Sequence, residues 1–155
     1  MEELKILDLK IAMLSYVYRD IEKQARLMEQ IYNFPKFSFV SYPHTNFIYR
    51  GKKVNVSLKT GRSRAFNNYG IELIQLIKGE ENLYKEFLDQ GREGLHHYDI
   101  LVNDIEKYIQ YFKKQGIEVI QEGKSLLKWA YLDTEATFGT IIELVEIGKG
   151  KTIKR

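Results

Sequence analysis

Two carboxylates stand where a strand-rich sequence would otherwise be apolar. Glu72 interrupts Ile71-Glu72-Leu73-Ile74, and Glu143 interrupts Ile142-Glu143-Leu144-Val145. Each run has the composition of a largely buried strand. An unpartnered carboxylate in such a place costs on the order of several kcal/mol or is driven to take up a proton. Because the two runs match, the two acids occupy equivalent places and call for partners or a shared cation. The third candidate is an imidazole. His96 and His97 lie in Leu95-His96-His97-Tyr98-Asp99-Ile100-Leu101-Val102. Strand alternation groups His97 with Asp99 and Leu101, and sets His96, Tyr98, Ile100 and Val102 on the other face. Alternation alone leaves open which face is inward. One neutral imidazole with two carboxylates is a nitrogen and oxygen donor set suited to a divalent ion.

Something must bring these groups together, and a weak internal repeat supplies it. Asp20-Ile21-Glu22-Lys23 recurs as Asp104-Ile105-Glu106-Lys107. Each copy follows an apolar, strand-like run and opens a helix. The Asp carboxylate can accept from an orphan backbone N–H, and the Glu two residues later lies near the positive end of the helix dipole. Ile105, Tyr108, Ile109 and Phe112 then fall on one helical stripe, as do Ile21, Ala25, Met28, Ile31 and Tyr32. Gly116 is a natural stop for the second helix. His97 lies seven residues before Asp104, and Met13 lies seven before Asp20. The repeat therefore pairs Met13 with His97 and Glu72 with Glu143. Packed about a pseudo-twofold axis, the central strands would converge these four positions, three of which can bind a metal.

The remaining segments read as strands. They cover about 37–49, 53–59 and 65–77 in the first half and 118–121, 126–132 and 140–147 in the second, with turns marked by Gly51, Gly61 and Gly123. A short helix is predicted over 82–89. Each half is strand, helix, then three strands. The fold class is α+β: two βαβββ modules forming a mixed, mainly antiparallel curved sheet around a central cup. The boundaries predicted are a first module over 1–80, a linker helix over 81–93, a second module over 94–148 and a basic tail over 149–155.

Composition narrows the classes. The chain has 155 residues, 44% of them hydrophobic, with 11 Tyr and 8 Phe, which suits a packed domain rather than a disordered one. No apolar run is long enough to span a bilayer, so no membrane partner is expected. The first residues lack a signal-peptide pattern, and a cytoplasmic location is the default expectation. The absence of cysteine excludes disulfides and thiolate metal sites. Net charge is only +3, and no nucleic-acid motif accompanies it, so nucleic acid is not expected as a partner. Arg50, Lys52, Lys53, Lys59, Arg62 and Arg64 form a basic stretch without an acid, and Lys149, Lys151, Lys154 and Arg155 follow in the tail. The plain reading is solvated loops and a frayed end. The sharper one is an anion-attracting rim for a substrate bearing a carboxylate or phosphate.

The run from Gly94 through His97 and Val102 to Ile105 resembles the fifth-strand motif of the vicinal oxygen chelate superfamily, which includes glyoxalase, methylmalonyl-CoA epimerase, bleomycin resistance proteins and extradiol dioxygenases. Tyr131-Leu132-Asp133-Thr134-Glu135, followed by Gly139-Thr140-Ile141-Ile142-Glu143-Leu144, is similar to its closing strand. Gly70-Ile71-Glu72-Leu73-Ile74-Gln75 resembles the strand ending its first module, and Tyr84-Lys85-Glu86-Phe87-Leu88 the linker helix of its glyoxalase-like, epimerase-like subgroup. The resemblance is specific from about Ile71 to Ile147 and weaker before that.

The resemblance implies a divalent metal in the cup, with Glu72, His97 and Glu143 as metal ligands. The family's first ligand, usually His or Gln, falls on Met13, whose thioether is a poor ligand for a hard cation. Manganese, magnesium, cobalt, nickel or zinc fit the oxygen-rich set, with iron ranked below them. The second carboxylate base of the epimerase branch falls on Asn55, which counts against a straightforward epimerase. The expected function is a glyoxalase-like metal-dependent lyase or isomerase acting on a small vicinally oxygenated substrate through an enolate or enediolate. Glu143 is the first choice for its catalytic base and Glu72 the second. The alternative is a metal-free small-molecule binder of the same fold, for antibiotic or aromatic ligands, with Met13 as a packing residue. A ring-cleaving dioxygenase ranks lower, because that reaction ordinarily uses two His and one carboxylate. The resemblance also implies a homodimer. His96 reads as structural, His44 as a loop residue, and Trp129, Tyr131 and Phe138 as core or pocket wall.

Overall fold

The computed structural model describes residues 9–66 and 69–148. The basic tail lies outside the described residues. The element order is β1 (Lys10–Val17), α1 (Ile21–Tyr32), β2 (Ser38–Tyr49), β3 (Lys52–Ser63), β4 (Gly70–Gly79), α2 (Leu83–Asp89), β5 (Gly94–Val102), α3 (Ile105–Lys114), β6 (Val119–Lys124), β7 (Lys128–Leu132), α4 (Glu135–Phe138) and β8 (Ile141–Glu146). Both repeat aspartates cap helices: Asp20 accepts from the Lys23 N–H at 3.0 Å and Asp104 from the Lys107 N–H at 3.4 Å.

The eight strands form one mixed sheet in the order β1-β4-β3-β2-β6-β7-β8-β5, closed on itself into a barrel. The pairs β1–β4 and β5–β8 are parallel, and all the others are antiparallel. Closure through β2 and β6 rests on only two residue pairs, Ile48 with Glu122 and Tyr49 with Gln121. The centre is a pseudo-twofold seam. Across β1–β5, Met13 faces Asp99 and Ser15 faces His97; Ser15 lies beside Glu72 on β4, as Asp99 lies beside Glu143 on β8. This register agrees with the repeat, since Met13 and His97 exchange places on rotation.

Alternation sorts the strands into two faces. On the outside, α1 covers Ile71 and Leu73 with Leu14 and Tyr16, while α3 covers Val102, Ala130, Leu132 and Leu144. On the inside, α2 plugs one end of the barrel. Its Leu83, Tyr84, Phe87 and Leu88 pack against Val17, Leu58, Ile74, Ile120, Tyr131 and Ile141. The plug is pinned by polar contacts: Asn82, fully buried, accepts from the Lys85 N–H at 3.0 Å, and Gln121 accepts from the Leu83 N–H at 2.9 Å. The other half of the interior is left for a polar cup.

Several local expectations shift. β3 runs on to Ser63, and β4 begins at Gly70 rather than 65; residues 67 and 68 lie outside the described set. The 126–132 strand starts at Lys128, because Leu126 is in the β6–β7 turn and fully solvated. His44 sits inside β2 rather than in a loop, where the register is irregular between Tyr42 and Thr45. The one-turn helix α4, ended by Gly139 at φ 86°, was not expected from the sequence. Among the described residues, no helix is long and apolar enough to cross a membrane.

Leu144, fully buried under α3, tests this packing. Leu144→Ala will cost about 2–5 kcal/mol of unfolding free energy in a urea titration; a loss below about 1 kcal/mol would contradict the packing described.

Candidate metal centre

Strand alternation carries Glu72 inward beside Ile74, while its neighbours Ile71 and Leu73 go outward to α1. Glu143 is likewise inward between the outward-facing Ile142 and Leu144. Both carboxylates are at least nine-tenths buried. His97 is fully buried, and its Nε2 lies 3.1 Å from Glu143 Oε2 and 3.1 Å from Asp99 Oδ1. Glu72, His97 and Asp99 each place a donor atom within 4.8 Å of the other two. The structure therefore brings Glu72, His97 and Glu143 into one cup, with Met13 on its wall. The cup is a cavity of about 500 Å³. Its polar wall is Arg62, Glu72, Asp99 and Glu143, and its apolar wall includes Leu101, Leu127, Trp129 and Val145.

Two members of the site depart from expectation. Asp99 was placed on the His97 face by alternation but was not singled out as a site residue. It is buried, and its Oδ1 accepts from the Ser15 hydroxyl at 2.8 Å. Its repeat partner is Ser15, so no matching carboxylate in the first half drew attention to it. The second departure is His96. The register shifts between Ser15–His97 and Tyr16–Leu95, so β5 bulges by one residue at His96. The bulge defeats strict alternation, and both imidazoles turn inward. His96 lies edge-on to Phe87 and 2.9 Å from His97, Nδ1 to Nδ1, with its Nε2 buried. Tyr131 extends the network, with its hydroxyl 2.7 Å from that of Tyr84 and 3.5 Å from His97 Nε2.

The other sequence candidates sort plainly. Trp129 is cavity wall, Tyr131 is core, and Phe138 is half-exposed against Tyr98. Asn55 is exposed and donates to Asn46, outside the cup. In the basic stretch, which is mostly strand rather than loop, Arg50 pairs with Glu86 and Lys59 with Glu22. Only Arg62 of that stretch lines the cavity; its Nε donates to Glu72 Oε2 at 2.6 Å.

Burial by itself pushes the His97 imidazole down, but the hydrogen bonds and charges of Asp99 and Glu143 outweigh it and hold its pKa up at about 10. Burial, with the nearby Asp99 charge, raises Glu143 to about 8 against the opposing pull of His97. Glu72 is raised by burial and by Asp99, with Arg62 and His97 opposing. His97 Nε2 has two carboxylate oxygens in reach, one of Asp99 and one of Glu143. Burial and the His97 charge hold His96 well below the usual histidine range, so it serves as the neutral acceptor for His97 Nδ1–H.

The family model described as "Glyoxalase/Bleomycin resistance protein/Dioxygenase superfamily" matches residues 14–129. The chain belongs to this superfamily. Solved structures with the same fold include a hypothetical protein from Bacillus halodurans C-125 (18% identity, TM-score 0.61), covering 95% of this chain and 99% of that one. Methylmalonyl-CoA epimerase from Mycobacterium tuberculosis (14%, 0.60) covers 92% and 89% respectively. A Streptomyces coelicolor methylmalonyl-CoA epimerase variant in complex with 2-nitronate-propionyl-CoA (14%, 0.61) covers 94% and 98%. No curated protein sequence matches the chain significantly.

Members of the glyoxalase superfamily typically use divalent metals, and the donor chemistry here fits one. The set is carboxylate oxygens and an imidazole, with no thiolate. Counted fully ionised, three carboxylates against Arg62 and an imidazolium leave one net negative charge. A divalent cation in place of the imidazolium proton leaves none.

The pH dependence of metal-free stability follows from the two raised groups. His97 holds its proton from its ordinary 6.5 up to about 10 when folded, and Glu143 from 4.5 up to about 8. In both windows the folded state binds more protons than the unfolded, so stability falls as pH rises. Urea unfolding of metal-free protein will show stability declining from pH 6.5 to 10, and His97→Gln will flatten the decline above pH 8. A wild-type profile that rises over this range would refute the charge arrangement.

Proposed function

We propose that this protein is a glyoxalase-like, metal-dependent lyase or isomerase acting on a small substrate with two adjacent oxygens, such as a hydroxy-ketone or a carboxylate next to a carbonyl. The observation that carries the reading is the placement of the fully buried His97 Nε2 against oxygens of Asp99 and Glu143, which line the cavity together with Glu72. Glu72, His97 and Glu143 would hold the ion. Bound there, a divalent cation supplies a Lewis acid for two neighbouring substrate oxygens.

The protein's own groups supply the proton chemistry. Glu143, as carboxylate, takes the proton from the carbon next to the substrate carbonyl. The C–H electron pair moves into the carbonyl and leaves an enolate. With a hydroxy-ketone, the same carboxyl returns the proton to the neighbouring, former carbonyl carbon while the hydroxyl proton passes to the other oxygen, which makes the change an isomerisation; return to the original carbon gives hydrogen exchange alone. Glu72 is the second candidate for this shuttle, but its ion pair with Arg62 restrains it. The α2 plug and the apolar wall keep bulk water from the charged centre and strengthen its electrostatics. The solved epimerases support an enolate-forming reaction by fold alone. The position of Asn55 gives no support to epimerisation as such.

A second reading has its own observation. Met13 stands at the usual first ligand position, beside an otherwise apolar wall that would suit a metal-free binder of small aromatic molecules. Protein purified without chelators separates the two. The enzyme reading expects about one divalent ion per chain by elemental analysis, whereas metal-free protein that binds apolar ligands tightly would replace it with the binder.

For the metal-loaded protein, NMR in D2O will show exchange at the carbon next to the carbonyl in a panel of hydroxy-ketones and 2-oxo acids. Glu143→Gln will slow this by roughly a hundredfold or more with an unchanged circular dichroism spectrum. Wild-type exchange by that variant would dismiss Glu143 as the base.

A further inference from the structure

Met13 leaves a gap in the donor set, and the residue facing it across the β1–β5 ladder is an acid. We infer that Asp99 has taken over the missing ligand, so that the ion is held by Glu72, His97 and Asp99 and Glu143 is released to work on the substrate. This deepens the metal-dependent reading and rests on it.

Four observations carry the assignment. Asp99 is the register partner of Met13, so a carboxylate on β5 reaches into the space that a ligand on β1 would otherwise serve. Asp99, His97 and Glu72 form the compact group, each with a donor atom within 4.8 Å of the others; Glu143 touches His97 Nε2 but is not part of that set. Asp99 is held for the task. Ser15, fully buried and related to it by the pseudo-twofold, donates to Oδ1 at 2.8 Å, which fixes the carboxylate as a supporting hydrogen bond fixes a metal ligand. Asp99 is also only 3% exposed, and in the metal-free protein its counter-charge is the His97 imidazolium 3.1 Å away, the position from which a divalent ion would displace the proton.

The arrangement divides the labour between two acids that flank the same imidazole nitrogen. Asp99, on the strand that carries His97 and two residues away, is rigidly placed by the seam. Glu143 has the longer side chain and, once it is not a ligand, can approach the substrate carbon without breaking a metal bond.

Manganese binding, followed by calorimetry and by the electron paramagnetic resonance signal of free Mn2+, tests the assignment without reference to turnover. Asp99→Asn is expected to weaken Mn2+ binding by roughly a hundredfold or more, Ser15→Ala by roughly tenfold, and Glu143→Gln by no more than about threefold. Returning an imidazole to the first strand should repair the loss, so Met13→His in the Asp99→Asn background should recover most of the affinity. Wild-type affinity in Asp99→Asn, or loss of binding in Glu143→Gln, overturns the inference and returns Glu143 to the ion. If Asp99→Asn does not fold, Glu143→Gln decides alone: retained affinity supports the assignment and lost affinity overturns it. Wild-type protein that binds no Mn2+, Co2+ or Zn2+ overturns the metal-dependent reading together with this one, and that result is distinct from a site that binds metal through other ligands.

Discussion

Everything in this molecule depends on the antiparallel contact between β1 and β5. That ladder lies on the pseudo-twofold axis, and its register decides which side chains share the interior. A slip of one residue on either strand would send Ser15, His97 and Asp99 to the helix-covered face and bring Leu14, Tyr16 and Ile100 into the cup. The outer packing resists such a slip. Leu14 and Tyr16 are held against α1, Ile100 and Val102 against α3. The helices that build the apolar layers thus act at a distance on the polar cup, because one face cannot move without the other.

The same seam explains how so much charge is tolerated in the interior. Glu72, Asp99, Glu143 and His97 are all buried, and four isolated charges in such a place would be ruinous. They are spread over three strands and meet near one point, with Arg62 reaching Glu72 from β3. Below them, the neutral His96 and the Tyr84–Tyr131 pair form a polar layer between the charged cup and the apolar plug.

Much of the architecture was legible in the sequence. The two Asp-Ile-Glu-Lys runs marked both helix starts, and the two carboxylates interrupting apolar runs marked the central strands of each half. The distance from His97 to its helix cap marked Met13 as its symmetry mate. Three features were not legible, for physical reasons. The bulge at His96 is a single-residue insertion that alternation cannot represent, so alternation separates His96 from His97 although both turn inward. Alternation sets Asp99 on the face of His97, but its symmetry mate is Ser15, so no repeated carboxylate marks it. Closure of the sheet into a barrel rests on two residue pairs between β2 and β6, too few to leave a pattern in either strand. For the candidate site, sequence reading expected Glu72, His97 and Glu143 to meet, and they do lie close together, while the nearness of Asp99 to His97 and Glu72 needed distances.

The α2 plug has a consequence for traffic. Because the helix fills one end of the barrel, the described residues close the cup from below, and the exposed lining residues Tyr42, Leu126 and Leu127 stand at its open side. A small molecule entering past those three side chains meets the polar wall last, so its apolar parts are left facing the entrance.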